Sequence, residues 1–274
     1  MHIATLGDVM LDILVDAPGG LLEDDDTEAR IELTAGGQAA NVAAWAVALG
    51  TRATLVGPRG DTASATFVAE QLGCAGVDLV EIAVPSTGKV VSIVSSGTRT
   101  LMSDAGDQSW VDRLNTRHAP TDVDWLHVSG YPLLRAADPS HLLAFVDHVR
   151  RGGASVSLDL SSAGLIDRYG PTRFVEVLRT LGAALIFGNL SEWEALGAGP
   201  DDLGTEGVVK RGGSGVTTVV PGVTTDHPAR RADVVDLTGA GDALAAGYLV
   251  GGIELGLATA ARCVGQRGAQ PSRP

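Results

Sequence analysis

Cysteine is scarce in this chain: Cys74 and Cys263 are the only two in 274 residues. Two isolated thiols support neither a disulfide framework nor a cysteine-based metal site, so a reducing cytoplasm is the expected setting. Basic residues are also few, 20 Lys and Arg against 33 Asp and Glu, giving a net charge of −13 with no basic cluster. That argues against a surface for nucleic acid or an anionic membrane and favours a small polar substrate. Long apolar runs are missing too. The longest uncharged stretch, Leu33 to Thr51, contains Gly36, Gly37, Gln38 and Asn41, and its continuous apolar part runs only from Val42 to Leu49, too short to span a bilayer. The N-terminus opens directly on a strand-like segment, and no targeting signal is read there.

Familiar signatures are absent as well. Walker A needs Gly-x-x-x-x-Gly-Lys followed by Ser or Thr, and Gly88-Lys89 is followed by Val90. A dinucleotide fingerprint beginning at Gly239 fails at Leu244, and too few strand-like residues follow Gly251 to complete a βαβ unit. An NAD-dependent oxidoreductase is therefore disfavoured. The six His are scattered, and neither a zinc spacing nor a Gly-x-Ser-x-Gly elbow is present.

What is present is an alternation of strand-length apolar runs with helical stretches, which predicts an α/β fold with a central, mainly parallel sheet flanked by helices. The candidate strands are His2 to Leu6, Ala53 to Val56, Trp125 to Val128, Ser155 to Leu160, Ala184 to Phe187 and Val216 to Val220. The candidate helices are Ala39 to Leu49, Ser64 to Leu72, Ser140 to Arg151, Thr172 to Leu181, Ala240 to Gly251 and Leu255 to Cys263. We expect one domain over residues 1–274 with two β-excursions, at about 12–35 and 79–104, that meet as a small lid. The second excursion reads as strands Leu79 to Val84, Lys89 to Ser95 and Arg99 to Met102, with Ser96-Gly97 as a turn. The acidic run Glu23 to Glu28 reads as a solvated loop, and Gln266 to Pro274 as a loop or frayed tail.

Chemistry-bearing residues gather at five places. Asp-Leu-Thr-Gly-Ala-Gly-Asp, Asp236 to Asp242, precedes the helix-forming Ala243, Leu244, Ala245 and Ala246. Gly239, Ala240 and Gly241 then begin a first turn whose unsatisfied amides and partial positive charge suit a phosphate or a developing anion. A carboxylate at Asp242 aimed into such a site is costly unless it is used, which points to phosphoryl transfer with Asp242 as base. A simple helix cap accounts for the same letters. After the first strand, Asp12 is placed to accept hydrogen bonds from substrate hydroxyls, with a turn aspartate as the plainer alternative. Gly36 and Gly37 allow close approach of a ligand, and Asn41 in the apolar helix that follows needs a partner, either a sugar hydroxyl or local backbone. Asn189 and Glu192, three apart at a helix entrance, are able to position a hydrated Mg²⁺ or simply to cap. Lys210, Gly212 and Gly215 lie in a glycine-rich connection that admits nucleotide phosphates or makes a hairpin turn.

These motifs, in this order and with Gly-Ala-Gly-Asp near the C-terminus, resemble the ribokinase-like (PfkB) carbohydrate kinase family from Gly7 to about Gly268, with Gly50 and Gly60 also at the expected intervals. The resemblance implies an ATP- and Mg²⁺-dependent sugar kinase with a β-lid, acting on a ribose, fructose or 2-keto-3-deoxygluconate type of substrate. By motif, Asp12, Gly36, Gly37 and Asn41 would bind the sugar. Asn189 and Glu192 would organise Mg²⁺, and Lys210, Gly212 and Gly215 would line the ATP site. The amides of Gly239, Ala240 and Gly241 would form the anion hole, and Asp242 would be the general base. Asp236 would belong to a loop that in many relatives holds a monovalent cation such as K⁺. A homodimer through the lid is a further expectation. Leu237 and Gln38 depart from the family's usual residues. Both lid segments lack Phe, Trp and Tyr, which favours a sugar over a nucleoside unless Trp45, Trp110 or Tyr131 approaches from elsewhere. A nucleoside kinase of the same superfamily, or an inactive sugar- or nucleotide-binding sensor, is the alternative. The reading requires Asp12, Asn41 and Asp242 to converge on one cleft below the lid.

Overall fold

A parallel strand covered by helices on both faces must be apolar almost throughout, and β1 (His2–Leu6) is buried along its whole length. It is followed by β2 (Met10–Ala17), β3 (Arg30–Gly36), α1 (Gln38–Ala48), β4 (Arg52–Gly60), α2 (Ala63–Cys74), β5 (Asp78–Val84), β6 (Gly88–Ser95), β7 (Thr98–Asp104) and α3 (Trp110–Arg113). The second half comprises β8 (Trp125–Ser129), α4 (Gly130–Arg135), α5 (Ser140–Arg151), β9 (Ser155–Asp159), α6 (Ala163–Tyr169), α7 (Pro171–Leu181) and β10 (Leu185–Asn189). It ends with α8 (Leu190–Leu196), α9 (Pro200–Leu203), β11 (Glu206–Lys210), β12 (Val216–Val220), β13 (Val223–His227) and α10 (Ala240–Val264). The computed structural model describes residues 1–95 and 98–272; the expected Ser96-Gly97 turn and the last two residues lie outside them.

Among the described residues, nine strands form one sheet in the order β13-β12-β11-β10-β9-β8-β1-β4-β5. It is parallel from β5 through β11, with β12 and β13 antiparallel at one edge. One apolar cluster, including Leu126, Phe145 and Phe174, covers one face. A second, including Trp45, Phe187 and Leu249, fills the other beneath α1 and α10. The chain steps outward from β1 to β4 and β5, then returns to β8 and builds in the opposite direction. The reversal between β1 and β8 opens a crevice at the strands' carboxyl ends, where ligands of such sheets collect.

The two excursions do meet, in a second sheet of order β3-β2-β6-β7. Its outer pairs are antiparallel, and β2 runs parallel to β6. One boundary needs correction. Leu79 to Val84, expected in the lid, forms β5 in the large sheet, parallel to β4. It completes a β-α-β crossover through α2, and Ile82 and Val84 join the main core; alternation alone does not tell which sheet a strand enters.

The helices expected at 240–251 and 255–263 are two rods of α10, broken where Gly251 and Gly252 leave helical angles. The rods fold back on each other: a methyl group at Gly247 would meet the Gly256 Cα at 2.8 Å. By length and composition Ala240–Val264 would reach across a bilayer, yet half of its most apolar window is buried inside the protein. The tail is the loop expected, packed rather than frayed over its described residues. Ala269 is 2% exposed, its carbonyl accepts from Trp45 Nε1 at 2.8 Å, and the Gly268 amide donates to Asp236 at 3.0 Å. The residues of the acidic run from Glu23 are exposed apart from half-buried Thr27, and no acidic, His or Cys cluster suited to a metal occurs among the described residues.

Candidate active site

The entrance to α10 is made by its own loop. Asp236 Oδ1 accepts from the amide and hydroxyl of Thr238 at 2.9 and 2.6 Å, while its Oδ2 takes the Gly268 amide. Gly239 then turns the chain at φ 77 as the N-cap, with no side chain capping the helix. A methyl group there would lie 2.6 Å from the Ala269 Cα, so glycine is required by angle and by space. Among the proposed anion-hole amides, that of Ala240 makes a long 3.4 Å contact with the Leu237 carbonyl.

Asp242, in this first turn, accepts a 2.8 Å hydrogen bond from Asn41 Nδ2 on α1, across 201 residues of sequence. The other amide atom, Asn41 Oδ1, is buried without a partner among the described residues. Burial raises the Asp242 pKa from 3.8 to about 7; the Asn41 bond opposes this, Asp159 and Asp12 reinforce it, and Lys210 opposes it. Asp12 is buried on β2, packed so closely on Gly36 that a methyl group there would meet its carboxyl at 2.2 Å. Gly37 is the N-cap of α1. The structure thus gathers Asp12, Gly36, Gly37, Asn41 and Asp242 at one place beneath the lid.

Beside the first turn of α10 lies a cavity of about 590 Å³ lined by Asn189, Lys210, Gly212, Gly215, Ala240, Gly241, Leu244 and Leu257, among others. Asn189 and Glu192 form the reciprocal capping box that their spacing allowed, at 2.9 and 2.7 Å, with a further 2.8 Å bond between the side chains. Burial, followed by Asp159, holds the Glu192 pKa above the usual carboxylate value. Gly212–Ser214 is a short 3-10 turn between antiparallel β11 and β12, so the hairpin forms and its glycines line the cavity as well. Leu237, unexplained in the sequence, is 65% exposed on the wall of this cavity.

Sequence reading missed three groups, Asp159, Asp8 and Arg135. Asp159, at the end of β9, accepts from Lys210 Nζ at 2.6 Å. The sequence predicts a strand to Leu160, which puts this aspartate inside it rather than at the ligand edge. Burial alone would lower the Lys210 pKa, but Asp159 and Glu192 outweigh it and hold the ammonium charged. Asp8 is buried and its pKa is raised to about 6, Arg135 opposing. Tyr131 lies within electrostatic reach of Asp8, Asp242 and Asp159, with the Arg135 guanidinium 4.7 Å above its ring. Of the three aromatic residues considered, Trp45 and Trp110 are fully buried, so only Tyr131 offers a ring here.

The sequence matches the family model described as "pfkB family carbohydrate kinase" over residues 1–274. It is 29% identical to the ATP-dependent ribose-1-phosphate kinase of Halopiger xanaduensis over 243 residues, covering 83% of this chain and 77% of that one. It is 30% identical to a fructokinase of Klebsiella pneumoniae over 269 residues, covering 90% and 82%. Among solved structures, a candidate Ribokinase II from E. coli in complex with ATP and Mg²⁺ superposes with a TM-score of 0.79 at 20% identity, covering 97% of this chain and 94% of that one. The fold is therefore ribokinase-like. With the family match reaching from end to end, the chain belongs to the pfkB family of carbohydrate kinases and is a phosphotransferase.

Proposed function

We propose that this kinase transfers the γ-phosphoryl group of ATP to a hydroxyl of a monosaccharide or close relative, with Asp242 as general base. The observation that carries the reading is the Asn41–Asp242 bond of 2.8 Å. It joins a carboxylate at a helix N-terminus to the glycine-flanked helix beside Asp12, and the cavity lies against the same helix entrance at Ala240 and Gly241. Asn41 Oδ1 and the Asp12 carboxylate are suited to sugar hydroxyls, and Asp242 to receiving the proton of the attacking one. A loose phosphoryl-transfer transition state needs alignment and charge neutralisation more than a strong base. The α10 entrance and Lys210 supply them where a Walker loop would.

The residues fit MgATP in one respect that they make clear. Asn189 and Glu192 already bond each other, and the described residues hold no cage of three acids. A hydrated Mg²⁺ carried by the nucleotide's phosphates fits this better than a protein-ligated ion. When bound, the ion neutralises phosphate charge. Both Asp236 oxygens accept hydrogen bonds, so a K⁺ requirement rests on the resemblance alone.

A nucleoside acceptor is the second reading, favoured by the Tyr131 ring. ADP release across sugars, sugar acids and nucleosides tests the assignment. Turnover with a sugar supports it, turnover with nucleosides alone replaces it, and binding without turnover favours a sensor. A cytoplasmic setting and a homodimer complete the reading. Ile31, Leu33 and Met102, each at least half exposed, lie on one lid face by register with Val15, Ile13 and Val91, a contiguous apolar surface suited to a second copy.

A further inference from the structure

Asp159 is 1% exposed, and its two oxygens serve opposite sides of the site. Oδ2 accepts from Lys210, whose ammonium lies so close to Gly241 that a methyl group there would meet it at 3.3 Å. Oδ1 accepts the Ser161 amide at 3.0 Å. Ser161 has φ 69, a left-handed backbone that a non-glycine residue keeps only where its surroundings over-determine it. From that turn its hydroxyl donates to Gln38 Oε1 at 2.6 Å and accepts from the Gly130 amide at 2.9 Å. Gln38 opens α1, next to Gly37 and one turn before Asn41. One buried carboxylate therefore reaches the nucleotide side through Lys210 and the sugar side through Ser161.

We propose that Asp159 is a positioning residue for phosphoryl transfer, fixing Lys210 at the α10 entrance and the Ser161 turn against Gln38, so that donor and acceptor pockets keep one relative placement. The inference rests on the kinase reading above. Alignment of this kind is where such a reaction gains most of its rate. Lys210 faces two other carboxylates, Glu192 and Asp242, while Asp242 faces Asn41, Asp159, Lys210 and Asp12. Tyr131 and His127 complete the titratable groups that feel Asp159. Without the Asp159 charge, the ammonium is drawn toward Glu192 and Asp242, and Asp242 loses a repelling neighbour.

Two variants separate the roles. Asp159→Asn retains an oxygen for the Ser161 amide and removes the charge. Its kcat should fall at least about ten-fold with acceptor KM within about three-fold, and the acid limb of its pH profile should move to lower pH. Ser161→Ala removes only the hydroxyl that reaches Gln38. It should raise acceptor KM about ten-fold and leave nucleotide KM unchanged. Wild-type kcat with an unmoved acid limb in D159N overturns the proposal, and so does an unchanged acceptor KM in S161A. S161A carries the test alone should D159N fail to fold. An inactive wild-type enzyme takes down the kinase reading and this inference together, whereas an active wild type with an indifferent D159N takes down the role of Asp159 alone.

Discussion

Burial raises the Asp242 pKa to about 7, so the folded chain binds a proton there more tightly than the unfolded chain does. Stability from this group is therefore lost as pH rises from the ordinary carboxylate value through about 7. Asp242→Asn should raise stability at pH 8 by on the order of 1–2 kcal/mol after allowing for solvent screening in a half-open cleft, measured by urea unfolding at pH 8 and pH 4, with no gain at the lower pH. The same pKa sets the chemistry: kcat/KM should climb with pH and level off above about 7. Asn41→Ala removes the bond that lowers this pKa, so its acid limb should sit at higher pH; an unshifted limb would show that Asn41 does not act on Asp242. Asp242 and Asn41 were legible because each stands in a local pattern, a glycine-rich helix entrance or a paired glycine before an apolar helix. Asp159 was not, because an aspartate after Leu158 carries no local mark and its partner Lys210 is 51 residues away.

Helices and strands were legible wherever one face is apolar, as in α5, which begins and ends at the expected residues. Assignment of β5 failed because its alternation serves a lid edge and a large-sheet edge equally well. The tail is legible as a loop, but its packing is not, because it comes from distant partners rather than from its own composition: Trp45 donates to the Ala269 carbonyl and Asp236 accepts from the Gly268 amide. At the α10 entrance, Gly239→Ala should destabilise by about 2–4 kcal/mol, through its left-handed backbone and its contact with Ala269. A thermal melt of that variant at wild-type Tm would rule out the tail as the wall behind the turn. Across the sheet, Thr5, His127 and Ser157 are register partners, and the His127 ring bonds Ser157 at 3.0 Å. Burial lowers the His127 pKa from 6.5 to about 4. The folded state thus resists protonation, and the stability held above pH 6.5 is lost as pH falls toward about 4. His127→Asn should flatten unfolding free energy over that window relative to wild type.

At the scale of the whole molecule, the site exists because two sheets that share no strand enclose one crevice: β2 delivers Asp12 from the lid, and the large sheet delivers Asp159, Asn189 and Lys210 on its carboxyl edge. Arg267 in the tail bonds Asp16 on β2 at 2.7 Å, tying the lid to the segment that also braces Gly239. The lid's apolar outer face should make the protein a dimer by light scattering, and Leu33→Glu should shift it to monomer; a wild-type monomer at micromolar concentration would remove the lid from the assembly. The motifs foretold that the two excursions meet and that Asp12, Asn41 and Asp242 converge; they did not foretell the Asp159–Lys210 pair or the tie from Arg267 to Asp16, which depend on contacts between segments far apart in the chain. The central claim is that Asp242 accepts the proton of an attacking sugar hydroxyl. Its most direct test is ADP release by wild type and Asp242→Asn side by side on the best sugar acceptor, with circular dichroism to show that both are folded. Turnover in the wild type and a loss of roughly a thousand-fold or more in the variant are expected; equal rates in the two would remove Asp242 as the base.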